Sequence, residues 1–221
     1  MKKLIILLLL FSGFSAFAQE RGLKRTYLGI NSGFSLSRII IDPSFDYMFN
    51  FSTDQGFRSG FDGGIVFLHY SQPRVGIQME LNYSQRGWTE NLDTISYNRR
   101  LDYVEFPFLT HFDIGKKKLK IAISFGPVIS YFISEKKQVN YLDENQVKEY
   151  YSFELDHKLE GALCIGLGVN KYTRIGNFQA EVRIKQGLTS IFKKDRVPEF
   201  SSSQNQAIEL KISYLIGWGR L

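Results

Sequence analysis

The chain has 221 residues, 43% of them hydrophobic, with 28 Lys plus Arg against 22 Asp plus Glu and a formal charge of +6. That length suits one domain, and the lone Cys164 rules out an internal disulfide. The basic side chains are interleaved with acids rather than gathered in one stripe, which argues against nucleic acid as a partner.

Residues 1–18 begin with Lys2 and Lys3, run apolar from Leu4 to Phe11 and close on Ala16-Phe17-Ala18, an A-x-A cleavage pattern. They read as a secretory signal for the general export pathway, leaving 19–221 as the mature domain. The apolar core is too short to span a bilayer, no Cys follows the site to carry a lipid, and no later run is long enough for a transmembrane helix.

After this leader the sequence alternates apolar and polar residues in eight stretches, the period of a strand with different solvents on its two faces. The first, near 26–36, puts Gly29 and Gly33 on its polar face and leads into a long loop, 37–58, rich in aromatics (Phe45, Tyr47, Phe49, Phe51, Phe57). Such residues would pack over a barrel mouth or against a partner. The second, 59–70, sets Phe61, Ile65 and Phe67 against Asp62 and Gly64, and turns at Ser71-Gln72-Pro73-Arg74. The third, 74–86, is the clearest: Val75, Ile77, Met79 and Leu81 oppose Gly76, Gln78, Glu80, Asn82 and Arg86.

A long connection over 87–100 precedes the fourth strand, 101–112, where Val104, Phe106 and Phe108 oppose Glu105. The turn 113–118 carries Lys116-Lys117-Lys118, read as a solvated run. The fifth, 119–132, sets Leu119, Ile121, Ile123 and Phe125 against Lys120 and Gly126. The loop 133–155 has enough Lys, Glu and Gln between Glu135 and Glu154 for a short helix. The sixth, 156–169, opposes Leu163, Ile165, Leu167 and Val169 to Lys158, Glu160, Gly166 and Gly168, with Cys164 as a small packing residue. After a turn at 170–176, the seventh, 177–188, opposes Phe178, Ala180, Val182 and Ile184 to Glu181, Arg183 and Lys185. A last long loop, 189–205, leads to the eighth, 206–218, with Ile208, Leu210 and Ile212 against Glu209 and Lys211.

Short and long connections alternate, the pattern of an all-β, eight-stranded antiparallel up-and-down transmembrane barrel with short periplasmic turns, long extracellular loops and both termini in the periplasm. Alternation alone also fits a soluble barrel turned inside out, of lipocalin type. Glycines on the polar face favour the membrane form, because a narrow lumen needs small residues beside large ones. The apolar face carries no charge, as lipid requires, since Arg or Lys at the midplane costs ~2–4 kcal/mol. Asp62, Glu80, Glu105, Glu160, Glu181 and Glu209 are expected to pair across the lumen with Arg86, Lys120, Lys158, Arg183, Lys185 and Lys211. Tyr27, Tyr83, Tyr103, Tyr131, Tyr214 and Trp218 fall near strand ends, where aromatic belts would lie. Pro107 and Pro127 are expected to mark bulges or strand ends.

Tyr103-Val104-Glu105-Phe106-Pro107-Phe108 and Gly126-Pro127-Val128-Ile129-Ser130-Tyr131 resemble the Y-L-E-I-P-L and G-P-Y-x-x-Y segments of the PorT-like outer-membrane β-barrel family, and the similarity covers most of the mature chain. The resemblance implies a small Gram-negative outer-membrane protein, and its name-giving member is an accessory of a secretion system that also serves gliding. The chain departs from barrel custom by ending Trp218-Gly219-Arg220-Leu221 rather than on an aromatic residue.

The function expected is that of a non-enzymatic, monomeric barrel acting through its extracellular loops or as a structural component. Its expected partners are outer-membrane lipid and lipopolysaccharide, and a protein at the loops or on the periplasmic side. An accessory role in secretion and a lipid-modifying enzyme (lipid A deacylase or acyltransferase) are the alternatives. The enzyme would need converging His, Ser and carboxylate groups, which dispersed His69, His111 and His157 do not offer. Those histidines and one cysteine also lack ligand spacing, so neither a metal nor a cofactor is expected. The glycine-rich run from Gly161 to Gly168 lacks the Lys-Ser/Thr ending of a phosphate loop.

Overall fold

A computed structural model describes residues 25–43, 55–92, 95–115, 118–141, 155–192 and 200–218. Eight strands, β1 (Arg25–Pro43), β2 (Gln55–Gln72), β3 (Val75–Leu92), β4 (Ile95–Ile114), β5 (Leu119–Tyr141), β6 (Leu159–Tyr172), β7 (Asn177–Gly187) and β8 (Phe200–Trp218), pair antiparallel with their neighbours and close into a ring through β1 and β8. The signal segment, the aromatics Phe45, Tyr47, Phe49 and Phe51, and the stretch 142–154 lie outside the described residues.

The two-residue period sorts the faces as the sequence requires. Leu163, Ile165 and Leu167 point out and are exposed, while Cys164 and Gly166 between them are buried. The same holds for Val75 to Tyr83 of β3 and Val104 to Phe108 of β4, so the ring wears its apolar residues outside. From Val104 to Ile114 the outward side chains of β4 carry no charge. At a rise of ~3.4 Å per residue and a tilt of about 40°, such a stretch covers roughly 26 Å, the height of a membrane barrel's apolar band. No helix among the described residues is long and apolar enough to cross a membrane.

Four of the connections expected to be long are shorter than the alternation implied, because the strands continue into them. β3 and β4 pair as far as Leu92 and Ile95, β5 runs as strand through 135–141 although the composition there suits a short helix, and β8 begins at Phe200. β6 and β7 do not share this extension, so the wall is lower on their side at the end carrying the long loops.

The prolines make no bulge. Rungs are missing on both sides of β4 around Phe106–Leu109, where Pro107 and Pro127 have no N–H to give, yet the register is the same on either side of each gap. The shifts fall elsewhere, at Asp42/Pro43, between Phe57 and Asp62, between Tyr70 and Gln72, and at Asp102/Tyr103. Of the expected belt, Tyr83, Tyr131 and Trp218 are exposed on the outer face. Tyr27 and Tyr103 are buried inside the barrel instead, on the inward parity shared with Asn31 and Glu105.

Candidate functional site

Side chains fill the lumen in three layers. At the turn end, Asp113 accepts hydrogen bonds from Tyr70 Oη (2.9 Å), Asn170 Nδ2 (2.7 Å) and Tyr172 Oη. His111 Nε2 is 3.4 Å from the same carboxylate and Lys120 Nζ 3.5 Å, with the Lys120 ammonium over the Tyr172 ring at 4.7 Å. Tyr27 meets Tyr70 and Tyr172 edge-on, closing the floor.

The middle layer is ionic. Glu80 of β3 takes Arg183 Nη2 at 2.7 Å and Lys211 Nζ at 3.1 Å, and receives Gln78, Asn82 and Asn31 amides. Arg183 also grips Glu181, Lys211 reaches Asp62 at 2.5 Å, and Lys185 lies 2.5 Å from Glu105 and 2.6 Å from Glu209. Arg86 pairs with Glu105 and faces the Tyr103 ring, whose hydroxyl donates to Glu160. Asn205 donates to the other Glu160 oxygen at 2.9 Å. None of these charged side chains is more than 4% exposed. Isolated, each would cost several kcal/mol to desolvate, so the cross-lumen partners are what allow them inside.

Room for these long side chains comes from β1, β5 and β6, whose inward positions include Gly29, Asn31, Gly33, Ser124, Gly126, Ser130, Ala162, Gly166 and Gly168. A Cβ at Gly126 would strike the Phe108 carbonyl oxygen, so at that position the walls leave space for hydrogen alone.

Ten of the twelve expected luminal charges meet in this layer. Lys120 belongs to the floor, and Lys158 is no luminal residue: it is exposed in a bend just ahead of β6, where parity no longer applies. Six acids therefore face four bases, and Tyr103, Gln78, Asn82, Asn31 and Asn205 supply the remaining donors. Asp62, Glu105 and Glu209 approach one another within 4.8 Å, the spacing of a cation site. The Lys185 ammonium stands among them and supplies the positive charge.

The third layer, at the loop end, is apolar and was not foreseen. Ile39, Trp88, Tyr97, Leu101 and Tyr103 pack with Ile191 and Phe192, all buried. Arg99 lies over the Trp88 and Phe192 rings at 5.3 and 5.4 Å and is held by Glu135. Ile191 and Phe192 belong to no strand. They fold into the mouth after β7 and are tied by Ile191 N to Ser203 O (2.9 Å), Phe192 N to Ser203 Oγ (3.1 Å) and Ser203 N to Ser190 Oγ (3.0 Å). A signal for Trp88 existed, since Arg86, Trp88 and Glu90 continue the period of β3 beyond its expected end.

The histidines do not converge. His69 bonds Thr26 at 2.8 Å, His111 sits in the floor with Asn170 and Asp113, and His157 is exposed. Cys164 is buried beside Leu109, Val128 and Ala162, as a packing residue.

A family model described as the outer membrane protein beta-barrel domain matches residues 17–193. None of the curated proteins compared matches the chain. Among solved structures, the outer membrane protein OprG from Pseudomonas aeruginosa is similar with a TM-score of 0.55 at 11% identity, covering 90% of this chain and 97% of that one. Ail, the attachment invasion locus protein of Yersinia pestis, is 12% identical over 86% of this chain and 99% of its own, with a TM-score of 0.38. AlkL, solved in lipid bilayers, is 10% identical over 91% and 93%, with a TM-score of 0.44. The OprG likeness bears on the fold alone.

Proposed function

Because the chain belongs to the outer membrane protein beta-barrel domain family, we propose that this small outer-membrane barrel is non-enzymatic and closed to solutes, and acts through the face its loops present outside the cell. The observation that supports this is the sealed ionic layer. Arg183, Lys185 and Lys211 reach from β7 and β8 to Glu80, Glu105 and Asp62 on the facing strands, leaving the path filled with paired side chains. Conductance across a planar bilayer tests it: the full-length protein should give no unitary steps, and stable steps in the unaltered protein would refute a closed lumen.

The loops then carry the contact with a partner. Exchanging residues 44–54 or 193–199 should leave a heat-modifiable barrel while changing surface behaviour of the cells. Loss of folding without a separable defect would count against the loops. An accessory role in secretion rests on the PorT-like motifs, but those residues already have packing work: Glu105 binds Arg86 and Lys185, Tyr103 binds Glu160, and Pro107 and Pro127 lie in the wall. They favour a fold, and no particular machinery. For a lipid-modifying enzyme, mass spectrometry of lipid A with and without the gene decides, and a changed acyl pattern would overturn the non-enzymatic reading.

A further inference from the structure

The outer wall changes character at the upper edge of the apolar band. Cross-strand register brings Ser37 opposite Arg58, Gly87 opposite Arg100 and Arg100 opposite Lys136, so one transverse row crosses β1 to β5. Parity turns Arg100, which follows the buried Arg99, and the exposed Lys136 outward. Beside the row, Arg38 stands between buried Ser37 and Ile39 with its guanidinium over the exposed Phe57 ring at 5.1 Å. Arg58 shares the parity of its partner Ser37 and reaches the outer face through its side chain, at Asn98. Gly87, with φ +146, makes the row continuous, because without a side chain there Arg58 can cross β3 and donate to Asn98 Oδ1 of β4 at 2.9 Å. A Cβ at Gly87 would crowd Arg58 Cδ and strike the Arg99 carbonyl.

These four cations are poorly matched by acids. Arg38 donates to the Gln206 amide, Arg58 to Asn98 and the Ser59 carbonyl, and among the contacts of the described residues only Asp102 brings a carboxylate, to Arg100 at 3.0 Å. Besides partial burial, Arg58 feels Arg100 close enough to repel it and Asp102 close enough to attract it. On β7 and β8 the equivalent outward positions hold the neutral chain Gln206, Gln186 and Gln204. Clustered like charges on one side of a barrel create a local field that favours an anion. Below the row, the same strands expose Phe61, Tyr83 and Val104, and lower still a groove of about 200 Å³ runs between Leu28, Phe67, Met79 and Phe106. A ligand fitted to this wall is anionic at its head and apolar along its length.

We infer that Arg38, Arg58, Arg100 and Lys136 form a binding surface for the phosphate groups of an outer-leaflet lipid headgroup whose acyl chains lie along β1 to β4. The inference rests on the orientation proposed above, with the loop end facing outside. Guanidinium groups match phosphate with paired N–H donors, and the arrangement uses three of them.

The test titrates the full-length protein in detergent with bisphosphorylated lipid A, with its dephosphorylated counterpart and with inorganic phosphate, read by native mass spectrometry. The bisphosphorylated lipid should bind at least about tenfold more tightly than the dephosphorylated one, and the double variant Arg58→Gln, Arg100→Gln should lose that preference. Lys171→Gln, at the opposite end of the wall, should keep it. Equal binding with and without phosphates, or an unchanged preference in the double variant, overturns the inference; inorganic phosphate binding as tightly as the lipid overturns the lipid as its source. Should the double variant fail to fold, the exposed Lys136→Gln alone should lower the preference about threefold, and no change there is equally decisive. Orientation is read separately, by labelling Lys136→Cys in intact cells with an impermeant thiol reagent. Labelling without lipid preference defeats the surface, whereas absence of labelling defeats the orientation.

Discussion

Up to Arg86 the inward positions of β3 are polar and meet charges drawn from four other strands, while the next inward position, Trp88, begins a layer of mostly aromatic and aliphatic side chains. Both layers exclude water, but they differ in what happens when one member is removed. In the ionic layer each group neutralises a buried partner across the lumen, on a neighbouring strand or along its own, so one deletion strands a buried charge. In the mouth, apart from Arg99 and its partner Glu135, the groups are apolar volume, and two of them, Ile191 and Phe192, hang on a segment tied by a few hydrogen bonds to Ser203 and Ser190. The lower layer is therefore rigid by necessity, and the upper one is the part of the lumen that can open locally.

Four single substitutions, one of them in the floor as a reference, and one second-site change separate these behaviours. Arg183→Met leaves Glu80 short of its bidentate partner and Glu181 without its own, and should cost about 3–5 kcal/mol, read as a lower urea midpoint in micelles or as failure to form the heat-modifiable species. Adding Glu80→Gln should recover part of that loss; no recovery would show that the network is not held by charge. Phe192→Ala should cost about 3 kcal/mol, with hydrogen exchange faster over Leu188–Phe192 and conductance still nil. Conductance in this variant would place the seal in the mouth and reverse the comparison. Tyr172→Phe removes one of the donors to Asp113 while Tyr70 and Asn170 remain, for about 1.5 kcal/mol in the urea midpoint. The smallest effect is expected from Ser203→Ala, about 1 kcal/mol, confined to exchange of the Phe192 and Ser190 region.

The sequence exposed the ionic layer better than the mouth, for a physical reason. Where lipid lies outside, the outer positions must be apolar, so Glu80, Arg183 or Lys211 stand out against Leu81, Val182 and Ile212 and their parity can be read. Above the band water replaces lipid, and the outward positions become Gln85, Thr89, Asn98 and Arg100. Contrast then vanishes, and strands that persist look like loops. Lys158 failed in the opposite sense, because parity was extended past the first rung of β6 to a residue that belongs to no ladder. Ile191 and Phe192 form an apolar pair with no period at all, and only the folding of that segment into the mouth explains it. The prolines misled because a missing N–H deletes a rung without moving the register.

The ladder between β1 and β8, running from Thr26 opposite Trp218 to Pro43 opposite Phe200, carries a consequence for the order of assembly. Seven of the eight ladders join strands adjacent along the chain and can form as successive hairpins, whereas this one needs both ends of the polypeptide together. Until it forms, Lys211 and Arg183 have no ring to hold them against Glu80, and the growing sheet has two bare edges. Closure and neutralisation of the interior should then be a single late event, which makes a half-built barrel a species to be guarded rather than a stable intermediate.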